Sequence, residues 1–391
     1  MVTRMKENVL VISTVASTID QFCMQDIEIL QEKYNVHIAA NFEQGNNTST
    51  TRLELFKEEI TAKGIEYHHI SMKRNPIDID NFKAGLHLNK LIKKYNYKII
   101  HCHTPVAAMV TRFIARKYRY DGLKVIYTAH GFHFYTGAPL KNWLLYYPIE
   151  FYLSKFTDVL ITINKEDYQR VYKKFRSRKV EYIPGIGVNI EKINDILSSC
   201  NKNNIRQELE IQAQDFVILS IGELNRNKNH EIVIRAIAKL NNPNIVYLIC
   251  GQGTMKEELE KLIKELNLQG QVRLLGYREN VIEICNISDL FVFPSYREGL
   301  SVALMEAMTT GLPVICSNIR GNMDLIEEDV GGFLVNANDL NGIAQKINYL
   351  YNNRQIMEKF SLNNKKKIKN YSRKLISQKL SNVYKINEER T

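Results

Sequence analysis

The feature that most constrains the fold is an alternation of strand-like and helix-like segments, which begins twice along the chain. In the first half, helical patterns such as Phe82–Lys94 separate the apolar runs, and Pro105 can occupy the first turn of a helix. The predicted strands of this half are Val9–Ser13, Val36–Ala40, Glu66–Ile70, Ile99–His103, Lys124–Ala129 and Asp158–Asn164. Strands that alternate with helices predict βαβ units and therefore a parallel sheet.

A Pro- and Gly-containing stretch at 184–188 and an Asn-rich stretch at 198–204 interrupt the alternation, which then starts again. The second half has predicted helices at His230–Leu240 and Thr254–Leu266. Its predicted strands are Phe216–Ile221, Ile245–Cys250, Val272–Leu275, Leu290–Phe293, Pro313–Cys316 and Phe333–Val335. A chain of 391 residues suits two domains. We predict an α/β protein with domains at 1–190 and 191–365 and a terminal helix at 366–391 that packs back toward the first domain.

Ligands of open parallel sheets bind beyond the carboxyl ends of the strands, and residues 293–308 carry the strongest signal there. An apolar strand ends at Pro294, and a helix begins near Leu300 or Ser301. The first N–H groups of a helix have no internal partner and attract anions. Glu298 precedes this helix and Glu306 lies on its second turn, which favours a ligand with central phosphates and hydroxyls at both ends. A nucleotide-sugar is such a ligand, although two solvent-facing acids would give the same pattern.

This segment, with Glu298 followed eight positions later by Glu306, resembles the signature of glycosyltransferase family 4. Members of that family are retaining enzymes of the GT-B fold, in which two Rossmann-like domains face each other across a cleft. The resemblance implies that Glu306 binds the ribose hydroxyls and that Glu298 contacts the donor sugar. It also implies that Gly299, Leu300 and Ser301 offer backbone N–H groups to the diphosphate.

A second match follows the first strand of the second domain, where family members commonly carry Gly, Arg and a later Lys. Gly222 and Lys228 fit this pattern, whereas Glu223 stands in place of the usual Arg and Arg226 is the nearest substitute. A cation close to a helix start is unfavourable on its own, which favours an anionic partner for Lys228. By resemblance, these cations neutralise the departing diphosphate, and the loop containing Arg278 holds the base.

Candidate residues in the first domain also follow strands. By resemblance, His130 contacts the donor sugar near the reacting carbon, and we expect both His130 and His133 to contact the acceptor. Ser17 and Thr18 belong to a small, hydroxyl-rich turn where many relatives have a Gly-rich loop, and we expect them to line the acceptor site.

Cysteine and histidine spacing favours packing over a metal centre. The six cysteines are scattered without a Cys-x-x-Cys pair, which suits a reducing compartment. His101 and His103 alternate on a predicted strand as a metal pair would, but no third ligand is evident in the sequence. We predict no metal and no cofactor, with a UDP-sugar as co-substrate.

Positive charge is concentrated in the first half, where residues 1–190 contain 27 Lys and Arg against 18 Asp and Glu. Such an excess suits nucleic acid, an anionic membrane or a phosphorylated acceptor, and without a nucleic-acid-binding motif we expect no nucleic acid. The aromatic stretch 137–153 and the basic stretch 173–179 fit a membrane face. A buried helix would explain 137–153 equally well. No run approaches the ~20 apolar residues that span a bilayer.

Segments 128–135 and 158–167 are similar to the bacterial branch that builds capsular polysaccharides and exopolysaccharides. The resemblance implies a metal-independent, retaining transfer of a hexose or N-acetylhexosamine from a UDP-sugar to a polyprenyl-diphosphate-linked saccharide. We expect the substrates to bind between the two domains of a cytoplasmic protein at the inner face of the membrane. A nucleotide-sugar epimerase is the alternative, as is a catalytically silent nucleotide-sugar-binding protein if Glu223 disables the phosphate site.

Overall fold

The structure, a computed structural model, describes residues 6–386 and divides into two compact units. One unit comprises the chain up to Ile186 together with the chain from Ile376 onward, and the other is Gly187–Leu375. Each unit is organised around its own parallel sheet. Within the described residues, no helix combines the length and the apolar character that crossing a membrane requires.

The first domain has a seven-stranded sheet in the order β3-β2-β1-β4-β5-β6-β7, and all neighbouring strands are parallel. Its strands are β1 (Asn8–Val15), β2 (Asn35–Asn41), β3 (Glu66–His69), β4 (Ile99–His103), β5 (Lys124–Ala129), β6 (Val159–Thr162) and β7 (Lys179–Tyr182). Its helices are α1 (Ala16–Phe22), α2 (Met24–Gln31), α3 (Thr50–Ala62), α4 (Asp80–Tyr95), α5 (Pro105–Ala115), α6 (Leu140–Ser154) and α7 (Lys165–Tyr172).

The second domain has a six-stranded parallel sheet in the order β10-β9-β8-β11-β12-β13. Its strands are β8 (Phe216–Ile221), β9 (Ile245–Cys250), β10 (Val272–Gly276), β11 (Leu290–Phe293), β12 (Val314–Ser317) and β13 (Gly332–Val335). The remaining helices are α8 (Ile190–Ser199), α9 (Lys202–Glu208), α10 (His230–Leu240), α11 (Lys256–Glu265), α12 (Val281–Ile287), α13 (Val302–Thr310), α14 (Asn322–Leu325), α15 (Leu340–Tyr351), α16 (Arg354–Ile368) and α17 (Arg373–Ile386).

The central strands β1, β4, β9 and β11 are buried on both faces, so burial does not alternate along them. Strands β9 and β11 are continuous apolar runs, whereas β4 also contains the buried residues His101 and His103. Helices cover both faces of each sheet and form two apolar layers per domain. The last helix, α17, adds Ile376, Leu380, Val383 and Tyr384 to the apolar layer that also contains Val9 and Ile27 of the first domain.

The predicted α/β class with two Rossmann-like parallel sheets is confirmed. Strands β4, β5, β8, β9 and β11 and helix α10 have the predicted limits. The strand predicted at Asp158–Asn164 is shorter, because both end residues have other roles. Asp158 accepts hydrogen bonds from Arg119 and the Val125 N–H, and Asn164 caps α7.

Strand β7 was not predicted. Its residues Lys179–Tyr182 are exposed or only partly buried and include Lys and Glu, so no apolar run marks them. The strand forms because its backbone pairs with β6 at the edge of the sheet.

Candidate functional site

Two loops of the second domain, which follow the adjacent strands β8 and β11, are bonded to each other. The Tyr296 N–H donates to the Asn227 carbonyl at 2.8 Å, and the Asn227 side chain donates to the Arg297 carbonyl at 3.0 Å. The Asn229 side chain donates to the Pro294 carbonyl at 3.4 Å. These bonds fix the two loops at the carboxyl edge of the sheet, where ligands of parallel sheets bind.

An ion pair joins the two residues of these loops that the sequence singled out. The Lys228 Nζ lies 2.8 Å from Glu298 Oε1, and the two side chains are 19% and 12% exposed. The same Nζ lies 4.6 Å from the centre of the Phe293 ring. Gly222 makes room for this lysine, since a Cβ there would lie 3.1 Å from the Lys228 side chain. The structure therefore brings Gly222, Lys228 and Glu298 together.

Helix α13 begins directly after the loop that contains Glu298. Ser301 is its N-cap, and the Ser301 hydroxyl accepts from the Leu304 N–H at 3.3 Å. The Met305 N–H makes the first i to i−4 bond, to the Ser301 carbonyl. The amides of Val302 and Ala303 precede that bond, so they remain available for an anion at the positive end of the helix dipole.

A third loop, after β12, holds the segment that leads into α13. The Arg320 Nε donates to the Glu298 carbonyl at 3.2 Å. Gly321 has a φ of +79°, and a Cβ at this residue would lie 2.2 Å from the Gly299 carbonyl oxygen. Only glycine fits here without displacing Gly299, so the position of the helix start depends on Gly321.

Glu306 is a partly buried carboxyl group on α13. It makes no hydrogen bond or ion pair within residues 6–386, and burial raises its pKa to about 7. A carboxylate in such surroundings is stabilised by a ligand that donates hydroxyl protons to it. This is the chemistry that the sequence analysis assigned to Glu306, with ribose as the donor of those hydroxyls.

The other predicted donor-site residues have more varied surroundings. Glu223 and Arg226 are exposed, and Arg226 lines a cavity of about 260 Å³ together with His230. Arg278 follows β10, and its guanidinium lies 2.5 Å from Glu208 on α9. The charge of Arg278 is thus already neutralised within the protein. Leu300 is partly buried against the core of the second domain.

In the first domain, His130 directly follows β5 and is partly exposed. Its Nε2 lies 3.0 Å from His103 Nδ1, and its ring centre lies 5.8 Å from that of Phe22. Desolvation lowers the pKa of His130 to about 4, so the ring is neutral at physiological pH. A neutral imidazole has one nitrogen that donates and one that accepts a hydrogen bond.

The remaining predicted acceptor-site residues of the first domain follow β1 or, like His130, follow β5. Ser17 is buried in the first turn of α1, where its hydroxyl accepts from the Asn47 N–H and its own N–H donates to the Asn46 side chain. Thr18, the next residue of α1, is partly buried. His133 stacks on Tyr146 of α6, with ring centres 4.3 Å apart.

Asp26, His101 and His103 form a buried group that could hold a metal ion by proximity alone. The two ring nitrogens of His101 already bond to the hydroxyls of Tyr384 and Thr128, at 2.9 and 2.8 Å. This leaves Asp26 and one nitrogen of His103 as donors, which suits packing and hydrogen bonding. Asp26 and Tyr384 were missed by the sequence analysis, because a lone acid on α2 and a tyrosine on the last helix carry no local motif.

Comparison with protein families gives one match in each domain. The family model described as glycosyl transferase 4-like matches residues 9–164, and the one described as glycosyl transferases group 1 matches residues 201–367. The predicted family is confirmed.

Two curated relatives show the extent of the similarity. EpsD of Bacillus subtilis, which its name places among glycosyltransferases, is 34% identical over 90% of each chain. The UDP-Gal:alpha-D-GlcNAc-diphosphoundecaprenol alpha-1,3-galactosyltransferase of Escherichia coli is 32% identical over 70% of this chain and 71% of its own.

Solved structures agree in fold. A glycosyltransferase from Rickettsia africae superposes with a TM-score of 0.78 at 20% identity, over 99% of this chain and 100% of the other. Anabaena HepE in complex with UDP and glucose superposes with a TM-score of 0.76 at 19% identity, over 96% of this chain and 99% of the other.

Replacing Gly321 with Ala should displace the loop before α13 and reduce nucleotide binding. The added Cβ collides with the Gly299 carbonyl in a backbone conformation that costs an L-residue about 1–3 kcal/mol. Thermal unfolding with and without UDP measures both effects, and we expect a lower melting temperature and a smaller UDP-induced rise. Gly270→Ala is the control, because a Cβ there meets nothing within 4 Å. Equal UDP-induced rises in both variants would contradict the role of this loop.

Replacing Glu306 with Gln should stabilise the protein at pH 8 while weakening UDP binding. Because burial raises the pKa of Glu306 from 4.5 to about 7, its ionisation lowers the free energy of unfolding as pH rises from about 4.5 through about 7. Gln cannot ionise, so the variant avoids this loss. We expect the melting temperature to rise by roughly 2–4 °C at pH 8, with a gain that shrinks toward pH 5. UDP should bind roughly tenfold more weakly, because a charged acceptor is lost. A variant that binds UDP as tightly as the wild type would remove Glu306 from the site.

Proposed function

This chain belongs to the glycosyltransferases of group 1 with a glycosyltransferase 4-like N-terminal domain, and we propose which transfer it catalyses. The donor is a UDP-sugar, the group transferred is a hexose or N-acetylhexosamine, and the anomeric configuration is retained without a metal ion. The acceptor is a polyprenyl-diphosphate-linked saccharide in surface-polysaccharide synthesis. The observation that carries this proposal is the Lys228–Glu298 ion pair beside the start of α13.

The ion pair and the helix start supply the two kinds of contact that a nucleotide-sugar needs. The diphosphate accepts from the free amides of α13 and attracts Lys228, which then releases Glu298. The freed carboxylate accepts hydrogen bonds from sugar hydroxyls, while Glu306 accepts from ribose. A UDP-sugar thus exchanges one internal ion pair for several charge-assisted hydrogen bonds.

The acceptor oxygen attacks the front face of the sugar's anomeric carbon as the bond between that carbon and the diphosphate oxygen breaks, and the hydroxyl proton passes to the departing diphosphate. Negative charge then develops on the diphosphate, beside Lys228 and the α13 amides. Fixed donors that point toward a developing charge are usually the largest contribution to catalysis. Because a lysine and helix amides supply the positive charge, the proposed mechanism needs no metal ion. His130 of the first domain accepts a hydrogen bond from a sugar hydroxyl.

The acceptor class is supported by the names of relatives. The Escherichia coli relative is named for transfer to a GlcNAc-diphosphoundecaprenol. A relative from Campylobacter jejuni is named for a diphospho-undecaprenol acceptor. CapM of Staphylococcus aureus is named for capsular polysaccharide biosynthesis.

Lys228→Ala and Glu298→Ala should each lower kcat by about 10²–10³-fold, since each removes a charge that acts on the transition state. Transfer from a panel of UDP-, GDP- and ADP-sugars to a polyprenyl-diphosphate-linked saccharide is the assay. NMR of the product reports the anomeric configuration. Activity in the presence of a chelator tests whether transfer needs a metal ion. Lys256→Ala is the matched control, because Lys256 is an exposed lysine of the same domain that pairs with Glu260.

Wild-type rates in both site variants would defeat the assignment. Conversion of UDP-GlcNAc to an isomer without any acceptor would favour the epimerase. Donor binding without turnover on any acceptor would favour a catalytically silent binding protein. Glu223, which is exposed and replaces the usual arginine, would then be the residue that disables the phosphate site.

A surface of the first domain supports the membrane part of the proposal. Residues of segment 76–86, α5 and α6 line an apolar groove of about 790 Å³. Ile77, Ile79 and Phe82 are 82%, 74% and 70% exposed. Contiguous apolar patches of this kind on a protein surface mark sites of membrane or protein contact. The groove was not predicted from the sequence, which pointed to the 137–153 and 173–179 stretches.

Helix α6 extends this surface. Leu140, Leu144 and Tyr152, which are spaced by four and eight residues, are exposed, whereas Trp143 and Tyr147 pack against the core. The helix therefore has one face in the core and one apolar face in solvent.

Cations lie against the aromatic residues of the groove. The Arg116 guanidinium lies 3.7 Å from the Phe113 ring centre, and the Lys155 Nζ lies 3.8 Å from that of Tyr152. Apolar side chains beside basic groups fit the hydrocarbon and the anionic headgroups of a bilayer. An anionic membrane is therefore the occupant that we propose for this surface.

The double variant Ile77→Ser, Phe82→Ser and the single variant Leu144→Ser should bind anionic vesicles at least about tenfold more weakly than the wild type. Each substitution removes an apolar side chain whose burial contributes roughly 1.5–3 kcal/mol. Co-sedimentation with phosphatidylglycerol-containing vesicles is the measurement. Leu362→Ser is the matched control, because Leu362 lies in the other domain and is 70% exposed, as Leu144 is. Equal binding of neutral and anionic vesicles, or equal loss in the control, would refute the membrane surface.

A further inference from the structure

A chain of buried polar side chains lies beneath His130 in the first domain. Its members come from four parts of the chain: α2, β4, β5 and the last helix, α17. They are Asp26, His101, His103, Thr128 and Tyr384, and each of them is buried. Buried polar groups are costly unless they are paired, so such a network requires an explanation.

One end of the chain has defined hydrogen-bond directions. Tyr384 donates its hydroxyl proton to Asp26 Oδ1 at 2.6 Å, since an ionised carboxylate can only accept. The Tyr384 oxygen is then free to accept from His101 Nδ1 at 2.9 Å. His101 Nε2 in turn accepts from the Thr128 hydroxyl at 2.8 Å. These bonds fix the second carboxylate oxygen of Asp26 in place.

That second oxygen faces His103. Asp26 Oδ2 lies 4.0 Å from His103 Nε2, a nitrogen that is buried and has no hydrogen-bond partner in the described structure. The other nitrogen, His103 Nδ1, lies 3.0 Å from His130 Nε2. His103 therefore stands between a carboxylate and the histidine that the proposed function places at the sugar.

The tautomers of the two histidines follow from these contacts. Desolvation lowers the pKa of both His103 and His130, so each ring is neutral and carries one proton. The carboxylate favours the proton of His103 on Nε2, which leaves Nδ1 as an acceptor. His130 must then donate from Nε2, and its Nδ1 is left without a proton.

We propose that Asp26, held by Tyr384, acts through His103 to keep the His130 proton on Nε2, so that His130 Nδ1 accepts a hydrogen bond from a substrate hydroxyl. Asp26, His103 and Tyr384 are thus positioning residues. The use of Nδ1 by a substrate rests on the proposed function, whereas the tautomer itself does not.

The test is the 15N spectrum of ring-labelled histidine at pH 8 without substrate. Burial raises the pKa of the Asp26 carboxyl to about 7, so most of this group is ionised at pH 8. The other titratable groups that face it are Cys23, Tyr384, His101 and His103. The His130 signals are assigned by their loss in His130→Gln. We expect a protonated Nε2 and an unprotonated Nδ1.

Asp26→Asn should reverse this pattern. The Asn amide donates to His103 Nε2, which moves the His103 proton to Nδ1 and the His130 proton to Nδ1. The transfer assay should then show kcat lowered at least about tenfold with little change in the donor KM, as expected when a catalytic histidine takes the wrong tautomer.

A second pair of variants separates positioning from packing. His103→Asn can place its amide oxygen near the position of Nδ1 and should keep the His130 tautomer and most of kcat, whereas His103→Leu should lose both. A proton on His130 Nδ1 in the wild type, or an unchanged pattern in a folded Asp26→Asn variant, would overturn the proposal. If the pattern reverses in Asp26→Asn but kcat does not change, the positioning role stands and the assigned role of His130 in transfer fails.

Discussion

The candidate site of the second domain depends on the parallel pairing of β8 with β11, which ends both strands at the same edge of the sheet. Residues 70 positions apart thereby form the Lys228–Glu298 ion pair at 2.8 Å. An ion pair that is largely removed from water gains little unless a ligand uses its charges, because desolvation offsets most of the attraction. Its location beside free helix amides therefore favours a role in binding over a role in stability.

In the first domain, adjacent strand ends bring two histidines together instead of an ion pair. His103 ends β4 and His130 follows β5, so their rings meet because these strands are neighbours. The terminal helix contributes Tyr384 to this group, which links the last helix of the chain to a candidate catalytic residue. The apolar groove lined by segment 76–86, α5 and α6 gives this domain a second surface with different chemistry.

Much of the fold could be predicted because periodicity and turn residues are local. The buried strands β4, β5, β8, β9 and β11 were found to the residue, because short, largely apolar segments between helical patterns and turn residues favour buried strands. Edge strand β7 could not be found, because pairing with β6 rather than its own side chains stabilises it. In the site, motif residues such as Lys228, Glu298 and Glu306 were identified from spacing and resemblance. The surroundings of a motif residue could not be predicted in the same way: the ion pair of Arg278 with Glu208 has no signal in the sequence.

The sequence by itself determined the two parallel-sheet domains, the family and the loops of the candidate site, because these depend on patterns within a few residues of each other. The tertiary structure alone decided which charges meet, which histidine nitrogen is left as an acceptor, and which apolar side chains remain in solvent. The physical reason is that burial and hydrogen-bond partners are set by neighbours in space, and Asp26 and Tyr384 lie 358 positions apart in the chain.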